Sequence, residues 1–227
     1  MRDDNGTLTD AGARLLVHRA GSTPVYAYDR QALRASVERV RSVSAPGAGL
    51  YYSLKANPHA GVVNALVALV DGFDVCSLTE METVLNAGAL PEHVLFTGPA
   101  KSEEEMAAAL AAGVMVSIES PGQARLLAAT STGLGLTGRA VIRLNVPYPG
   151  RTPHEEPLPN QFGVAEDDVP EVIEALHEAE LPIIGLQLFW GSQYADAEVV
   201  LSARADAVAR ARACVERFGL APDLVSI

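Results

Sequence analysis

The sequence predicts an α/β fold, a TIM-type (β/α)8 barrel, on three observations. Strand-like and helix-like patterns alternate from about residue 50 onward, which is typical of parallel strands joined by right-handed helical crossovers. Seven such strands follow one another without a break in the pattern, and this favours a barrel over an open sheet. The chain has 227 residues, of which 48% are hydrophobic, so it can bury a sizeable core.

Each predicted strand is a short, mostly apolar run, and each predicted helix carries an apolar face. The strands are Leu50–Leu54, Phe73–Cys76, Val94–Thr97, Met115–Ile118, Ala140–Leu144, Ile184–Phe189 and Leu224–Ile227. The helices are Ala13–Ala20, Arg30–Ser42, Gly61–Val70, Leu78–Ala87, Ser102–Ala112, Pro121–Thr130, Val169–Ala179 and Ala197–Phe218. Ser77 with Glu80 and Ser102 with Glu105 are capping-box patterns, so the starts of two helices are marked directly by the sequence.

The chain is predicted to divide into a lead-in, residues 1–28, and a barrel, residues 29–227. The lead-in contains a short helix and the alternating segment Thr23–Tyr28, which predicts a strand. The seventh barrel strand reaches Ile227, and a seven-stranded barrel would keep an unpaired edge. The sequence is therefore expected to be a fragment, or a chain that continues. The proline-rich segment Asn145–Asn160 predicts a functional loop over the barrel mouth.

Composition narrows the classes of partner. The formal net charge of −11 argues against nucleic acid or an anionic membrane as the main partner. The N-terminus is polar and no apolar run approaches the ~20 residues of a membrane helix, so a cytoplasmic location is expected. Cys76 and Cys214 are interpreted as thiols, with one disulfide as the alternative. The five histidines are scattered, so no metal site is predicted.

The candidate catalytic residue is Lys55, at the end of the first barrel strand. The strand breaks at once into the turn at Asn57 and Pro58, and barrels build their sites where strands end. A lysine held against apolar walls loses proton affinity and can form an imine with an aldehyde. Arginine cannot, and the chain has two lysines against fifteen arginines. The alternative is an ordinary lysine that points at water. The other lysine, Lys101, is expected to contact solvent or nearby acidic side chains.

Six segments carry a family resemblance, in one order along the chain. They are Thr23–Asp29, Tyr52–Asn57, Gly72–Ser77 with Glu80, Phe96–Ser102, Arg143–Asn145 with Gln161–Val164, and Gly185–Gln193. Together they resemble the pyridoxal-phosphate-dependent decarboxylases of the alanine racemase-like fold, a group that includes diaminopimelate, ornithine and arginine decarboxylases. The resemblance extends from about Gly21 to the end of the chain.

The resemblance implies a cofactor, pyridoxal 5'-phosphate, and roles for several residues. Lys55 would hold the cofactor as an internal imine and later return a proton. Asp74 would keep this lysine oriented, Arg143 would lie near the cofactor ring, and Glu80 would be a carboxylate beside the site. Two alternatives stay open, because Asp74 could be satisfied by a neighbouring amide and Arg143 could only neutralise carboxylates such as Asp74 or Glu80.

The last part of the resemblance adds two contacts and three departures from the family pattern. Ser192 would hydrogen-bond the cofactor near its phosphate or ring oxygen. Phe189 stands where the family has a histidine stacked on the cofactor ring, and a phenyl ring can stack but cannot titrate. Gln187 replaces another common histidine, and Gln161 stands where the family often has lysine. These departures predict an unusual substrate or a lowered activity.

The function implied is that of a carboxy-lyase acting on an amino acid of the diaminopimelate or ornithine kind. The family's substrate-reading β-domain would lie beyond Ile227, so the amino acid and its stereochemistry are left open, and this chain alone is expected to be inactive. The full-length protein is expected to be a homodimer. The alternatives are a non-enzymatic pyridoxal-phosphate homeostasis protein and a regulatory relative without activity.

Overall fold

The computed structural model describes residues 8–150, 155–156 and 158–227. The chain forms two compact units, Met1–Ala48 and Gly49–Ile227. The lead-in was predicted to end at residue 28, and this boundary stays a prediction. The first unit extends further and includes the second helix of the chain. Within the described residues, no helix has both the length and the apolar character that a bilayer crossing requires.

The first unit contains two capped helices. Helix α1, Asp10–Ala20, begins at Thr9, whose hydroxyl accepts a hydrogen bond from the backbone N–H of Gly12. Helix α2, Arg30–Val43, begins at Asp29, as predicted. The strand predicted over Thr23–Tyr28 is wrong, because this segment is irregular. A strand needs a hydrogen-bonded neighbour, and no neighbouring strand pairs with it among the described residues.

The second unit contains a parallel sheet of seven strands that follow one another in chain order, curled as in a barrel. The strands are β1 Tyr51–Ser53, β2 Gly72–Val75, β3 Val94–Phe96, β4 Met115–Ile118, β5 Arg139–Leu144, β6 Ile183–Leu188 and β7 Leu224–Ser226. The helices between them are α3 Ala60–Leu66, α4 Leu78–Asn86, α5 Glu103–Ala112, α6 Pro121–Leu134, α7 Val169–Glu178 and α8 Ala197–Phe218. All seven predicted strands are confirmed, and the predicted barrel-type fold with them.

The interior of the curled sheet is built in two layers. Leu95, Met115 and Val141 form a buried apolar cluster against which the ring of Tyr51 packs. Because side chains alternate between the two faces of a strand, the residues two positions further along share this inner face. Those residues are polar: Ser53, Thr97, Ser117 and Arg143. An apolar floor is therefore followed by a polar layer at the carboxyl ends of the strands.

The outer face of the sheet is covered by the helices, and this is where most of the core lies. Every residue of strands β3 and β4 is buried. Fully buried side chains such as Phe73, Phe96 and Leu127 pack in one large apolar cluster. Burial of this kind on both faces is the usual environment of a parallel sheet. The sheet thus gives rigid support to the side chains at the carboxyl ends of its strands.

Candidate active site

A cavity of about 340 Å³ opens at the carboxyl ends of the strands. Its wall is formed by residues that follow or end strands β1, β2, β3, β5 and β6, together with the turn Gly98–Lys101 and Phe162. The strand-end residues are Lys55, Cys76, Thr97, Arg143 and Phe189. Three of the six residues predicted for the site therefore line one cavity, namely Lys55, Arg143 and Phe189.

Lys55 lies in a single 3-10 turn, Leu54–Ala56, that follows β1 directly. The turn is anchored by Leu54, which is fully buried, and by the hydroxyl of Tyr52, which donates to the carbonyl of Asn57 over 3.2 Å. The amine of Lys55 lies 5.7 Å from the centroid of the Phe189 ring. The side chain is exposed, so the apolar walls that the sequence suggested are not found around this lysine.

Asp74, on β2, lies one layer behind the cavity wall. Its Oδ1 accepts a hydrogen bond of 2.7 Å from the Thr97 hydroxyl, and its Oδ2 accepts one of 3.0 Å from the Ser53 hydroxyl. Asp74 and Lys55 do not form an ion pair with each other among the described residues. The partners of Asp74 are thus hydroxyl groups of neighbouring strands, rather than the amide that was the alternative.

Glu80 and Ser192 lie outside the lining of this cavity. The Glu80 carboxylate accepts the backbone N–H of Cys76 over 2.7 Å, and the Glu80 N–H donates to the Ser77 hydroxyl. Ser77 thus caps helix α4 as predicted, but the box is incomplete, because the Glu80 carboxylate binds the N–H of the residue before the cap and not that of Ser77 itself. Ser192 is exposed in the loop after β6. Neither residue is among those that line the cavity with Lys55, and their predicted roles stay predictions.

Arg143, on β5, is paired with a residue that the sequence reasoning missed. Its Nη1 lies 2.9 Å from Oε2 of Glu119, and the exposed fractions of the two side chains are 12% and 1%. The alternative that Arg143 neutralises a carboxylate is thus met, with Glu119 as the partner in place of Asp74 or Glu80. Glu119 follows β4 as Lys55 follows β1. Its position just after a predicted strand is the feature by which the sequence could have indicated it as a site residue.

The Arg143 guanidinium also contacts two aromatic rings. Its central carbon lies 5.0 Å from the centroid of the Phe162 ring and 5.9 Å from that of Phe189. The Tyr148 ring also meets Phe189, edge-on, with the ring centroids 6.0 Å apart. The Phe189 ring thus lies within 6 Å of both Lys55 and Arg143, a distance at which a cation is attracted to a ring face.

Lys101 is buried, and the expectation that it contacts solvent or acidic loops is wrong. Only 7% of it is exposed. Its amine donates to the carbonyls of Gly98 and Ser117, at 2.6 and 2.7 Å, and to the Gln123 side chain at 3.5 Å. Burial lowers the pKa of Lys101 to about 8, and the Glu119 carboxylate opposes the shift.

The three acceptors around Lys101 match the three N–H groups of an ammonium ion. The nitrogen is buried and all its N–H groups are engaged by protein acceptors, so Lys101 is closed to an incoming aldehyde. Lys55 is thus the lysine of this cavity whose amine is open to the solvent.

The cysteines are both free thiols, as predicted. Cys76 lines the cavity, with its Sγ 3.5 Å from the Thr97 hydroxyl, and its pKa is raised, chiefly by burial. Across the described residues, no group of three His, Cys, Asp or Glu side chains is arranged to hold a metal ion.

The predicted loop Asn145–Asn160 is only partly described, since residues 151–154 and 157 lie outside the described ranges. Its base is closed by the Asn145 amide, which donates to the carbonyls of Asn160 and Phe162 over 2.7 Å each. A second cavity, of about 510 Å³, lies between the described part of this loop and α8. Lys55 is not among its lining residues.

Comparison with known proteins matches residues 30–227 to the family described as "Pyridoxal-dependent decarboxylase, pyridoxal binding domain". This chain belongs to the pyridoxal-dependent decarboxylase family. The match covers the whole curled sheet, so the resemblance inferred from the six segments is confirmed, and so is pyridoxal 5'-phosphate as the cofactor.

Two curated relatives illustrate the level of similarity. A diaminopimelate decarboxylase of Pseudomonas aeruginosa is 32% identical over 202 residues, which are 86% of this chain and 48% of the relative. A 2-[(L-alanin-3-ylcarbamoyl)methyl]-2-hydroxybutanedioate decarboxylase of Staphylococcus aureus is 33% identical over 162 residues, 69% of this chain and 40% of the relative. This chain thus spans about half the length, or less, of these curated relatives.

Solved structures give the same result for the fold. The diaminopimelate decarboxylase of Helicobacter pylori, complexed with L-lysine, superposes with a TM-score of 0.79 at 25% identity over 92% of this chain and 54% of that one. The Paramecium bursaria Chlorella virus arginine decarboxylase shares the fold, with a TM-score of 0.75 at 16% identity over 96% of this chain and 57% of that one.

The residues of the cavity fit the cofactor of the decarboxylase family. An aldehyde needs an accessible primary amine, which Lys55 provides. A flat ring needs an aromatic face, which Phe189 provides, and an anionic substituent needs a cation such as Arg143. The cavity is lined by cations although the chain has a net charge of −11. An anionic ligand requires such a local cationic pocket on an acidic protein.

Proposed function

We propose that this chain is the cofactor-binding part of an amino-acid decarboxylase in which Lys55 carries pyridoxal 5'-phosphate. The observation that carries the proposal is the contrast between the surroundings of the two lysines. The Lys55 amine borders the cavity within 5.7 Å of the Phe189 ring centroid, whereas all three N–H groups of Lys101 point at protein acceptors.

The proposed roles follow from what each side chain can donate or accept. Lys55 would hold the cofactor, since a primary amine can condense with an aldehyde with loss of water. When bound, the cofactor supplies a pyridine ring that accepts the electron pair left behind as an α-carboxylate departs as CO2. Lys55 would also be the group that returns a proton to the substrate carbon.

The remaining residues bind and orient. Phe189 offers a face for stacking, and Arg143 offers guanidinium N–H groups to an anionic substituent. Asp74 lies behind Thr97 and holds that hydroxyl on the cavity wall by the 2.7 Å hydrogen bond. Its negative charge, close beneath a cationic lining, stabilises the protonated form of an amine or of a ring nitrogen nearby.

The proposed substrate is an α-amino acid with a second polar group, of the diaminopimelate or ornithine kind. Support comes from the relatives, since several at 31–33% identity are diaminopimelate decarboxylases. The similar Helicobacter pylori enzyme was crystallised with L-lysine. The homodimer expected of the full-length protein stays a prediction.

The test is to trap the covalent linkage. The protein is mixed with pyridoxal 5'-phosphate, treated with sodium borohydride and mapped by peptide mass spectrometry. We expect the label on Lys55 and none on Lys101, and we expect the visible absorbance of the lysine-linked cofactor to be absent in Lys55→Arg. That substitution keeps the positive charge but cannot form the linkage. A label on Lys101, or an unchanged absorbance in Lys55→Arg, would refute the proposal.

A further inference from the structure

One buried carboxylate, that of Glu119, links the ends of three adjacent strands. Its side chain is 1% exposed. Oε1 accepts the backbone N–H of Gly98, which follows β3, over 2.7 Å. Oε2 accepts Nη1 of Arg143, on β5, over 2.9 Å. Both oxygens of this carboxylate therefore have a partner, and each partner belongs to a different neighbouring strand.

Gly98 is fixed from both sides of its peptide unit. Its N–H is bound by Glu119, and its carbonyl accepts from the Lys101 amine at 2.6 Å and from the Gln123 amide at 3.0 Å. Glu119, Lys101 and Gln123 are all at most 7% exposed. Gly98 and the three buried side chains around it thus all have hydrogen-bond partners, which is the condition under which a buried polar network is rigid.

Arg143 is joined to this network by Glu119, and its side chain also lines the cavity. An arginine side chain has many rotamers to lose, so a fixed orientation needs a cause. Glu119 binds one end of the guanidinium, and the rings of Phe162 and Phe189 lie at 5.0 and 5.9 Å from its centre. Its other N–H groups have no hydrogen-bond partner among the described residues, so they are available to a ligand.

We propose that Glu119 is a positioning residue that holds the Arg143 guanidinium on the cavity wall, where it binds an anionic group of the cofactor or the substrate. Glu119 itself is shielded from the ligand. The inference rests on the proposed function and adds a residue to it, together with the chemistry of what Arg143 binds. That chemistry is an anionic oxygen group, either the phosphate of the cofactor or the carboxylate of the amino acid.

A purely structural role is the competing explanation. A buried ion pair contributes uncertainly to stability, while removal of one partner leaves a buried charge and destabilises the fold. Loss of stability in a Glu119 variant therefore does not establish positioning. Ligand affinity, and its dependence on the presence of Arg143, separates the two explanations.

The experiment measures dissociation constants by absorbance titration in the protein and its variants. The probes are pyridoxal 5'-phosphate, pyridoxal without the phosphate, and L-lysine added to the cofactor-loaded protein. The variants are Glu119→Gln, Arg143→Met and the double variant. The control is Glu171→Gln, which removes the exposed Glu171–Arg125 pair between α6 and α7.

We expect Glu119→Gln to weaken one of these ligands about tenfold, as loss of one charge-assisted contact would. Weaker binding of pyridoxal 5'-phosphate but not of pyridoxal assigns Arg143 to the phosphate. Weaker binding of L-lysine alone assigns it to a carboxylate. In either case, we expect Glu119→Gln to have less than about a twofold effect in the Arg143→Met background, because Glu119 acts through Arg143.

Unchanged affinities for all three probes in Glu119→Gln, with a lowered Tm, would overturn the inference and leave the proposed function intact. Failure of the unaltered protein to take up pyridoxal 5'-phosphate would instead overturn the proposed function. If Glu119→Gln does not fold, Glu119→Asp keeps the charge but withdraws it by one methylene. A positioning role predicts the same loss of affinity there, whereas affinities unchanged from the unaltered protein would overturn it.

Discussion

At the scale of single residues, the two lysines of the cavity show how burial divides chemical roles. Lys55 is exposed at the tip of a strand, while Lys101 is 7% exposed and donates to three acceptors. Burial disfavours the charged form, so the pKa of Lys101 falls from its ordinary 10.5 to about 8. The same side-chain type is thus an open amine in one place and a structural cation in the other.

The lowered pKa of Lys101 predicts a pH-dependent stability. Below pH 8 both folded and unfolded chains carry this proton, and the cost of burying the charge is fully present. Between about pH 8 and 10.5 the unfolded chain binds more protons, so the free energy of unfolding rises. The gain from this group is at most on the order of 3 kcal/mol.

Urea unfolding at several pH values in that window tests this dependence. In Lys101→Met, the rise in the free energy of unfolding that this lysine causes should be absent. Lys55→Met should keep it. Other groups, such as Tyr51 and Cys76, have raised pKa values and act in the opposite direction, so the difference between variants is the informative quantity. Equal pH dependence in Lys101→Met and the parent would contradict the prediction.

A second residue-scale prediction concerns Phe189, whose ring lies within 6 Å of two cations. A histidine placed there by Phe189→His should resist protonation, because Lys55 and Arg143 both repel an imidazolium. Its pKa, followed by NMR, is expected below the ordinary value of about 6.5. Phe162→His is the matched comparison, since Phe162 contacts Arg143, and its shift should be smaller. An equal or raised pKa in Phe189→His would contradict this account.

The sequence located Lys55, Arg143 and Phe189, but it missed Glu119 and misplaced Lys101. Strand ends are visible in a sequence because an apolar run stops there, which is how Lys55 was found. Partners across strands are not visible, because they depend on the stagger between strands. Glu119 lies 24 residues from Arg143 in the chain, and their contact follows from the pairing of β4 with β5.

At the scale of elements, the closeness of neighbouring strands depends on glycine. A Cβ at Gly72, on β2, would lie 2.4 Å from the His93 carbonyl and 2.4 Å from the Tyr51 ring. Gly72→Ala is therefore expected to lower stability by about 1–3 kcal/mol, as overpacking does. The control is Gly133→Ala in α6, where a Cβ meets nothing within 4 Å, and a gain of about 0.5 kcal/mol is expected.

Thermal or urea unfolding of the two glycine variants measures both effects. Opposite signs are the expected result. A stable Gly72→Ala protein would show that β1, β2 and the segment before β3 can separate without cost, contrary to the close contacts of the His93 carbonyl and the Tyr51 ring.

Element boundaries were predictable where local chemistry marks them. Strand ends agree within one residue, and the Ser102–Glu105 capping box is present in full. Helix ends agree less well. Helix α6 runs to Leu134 and ends at Gly135, which takes the left-handed conformation, because Gly133 can be tolerated inside a helix. The segment Thr23–Tyr28 has strand-like alternation, yet alternation alone cannot supply a pairing partner.

At the scale of the whole molecule, the sheet sorts apolar and polar side chains by depth. Apolar residues such as Leu95, Met115 and Val141 fill its interior, and polar residues follow two positions later on the same strands. The period of two in a strand makes this layering readable from sequence once the strands are known. The fold class was therefore predictable, while contacts such as that of Ser117 with Gln187, 70 residues apart, were not.

The scarcity of lysine in this acidic, arginine-rich chain has a practical consequence. Reagents that acylate primary amines ignore guanidinium groups, and the Lys101 nitrogen is both shielded and engaged with carbonyl oxygens. Among the side chains, a brief acylation should therefore modify Lys55 in preference. A fluorophore introduced in this way would report from the mouth of the cavity, without any cysteine having to be engineered into the chain.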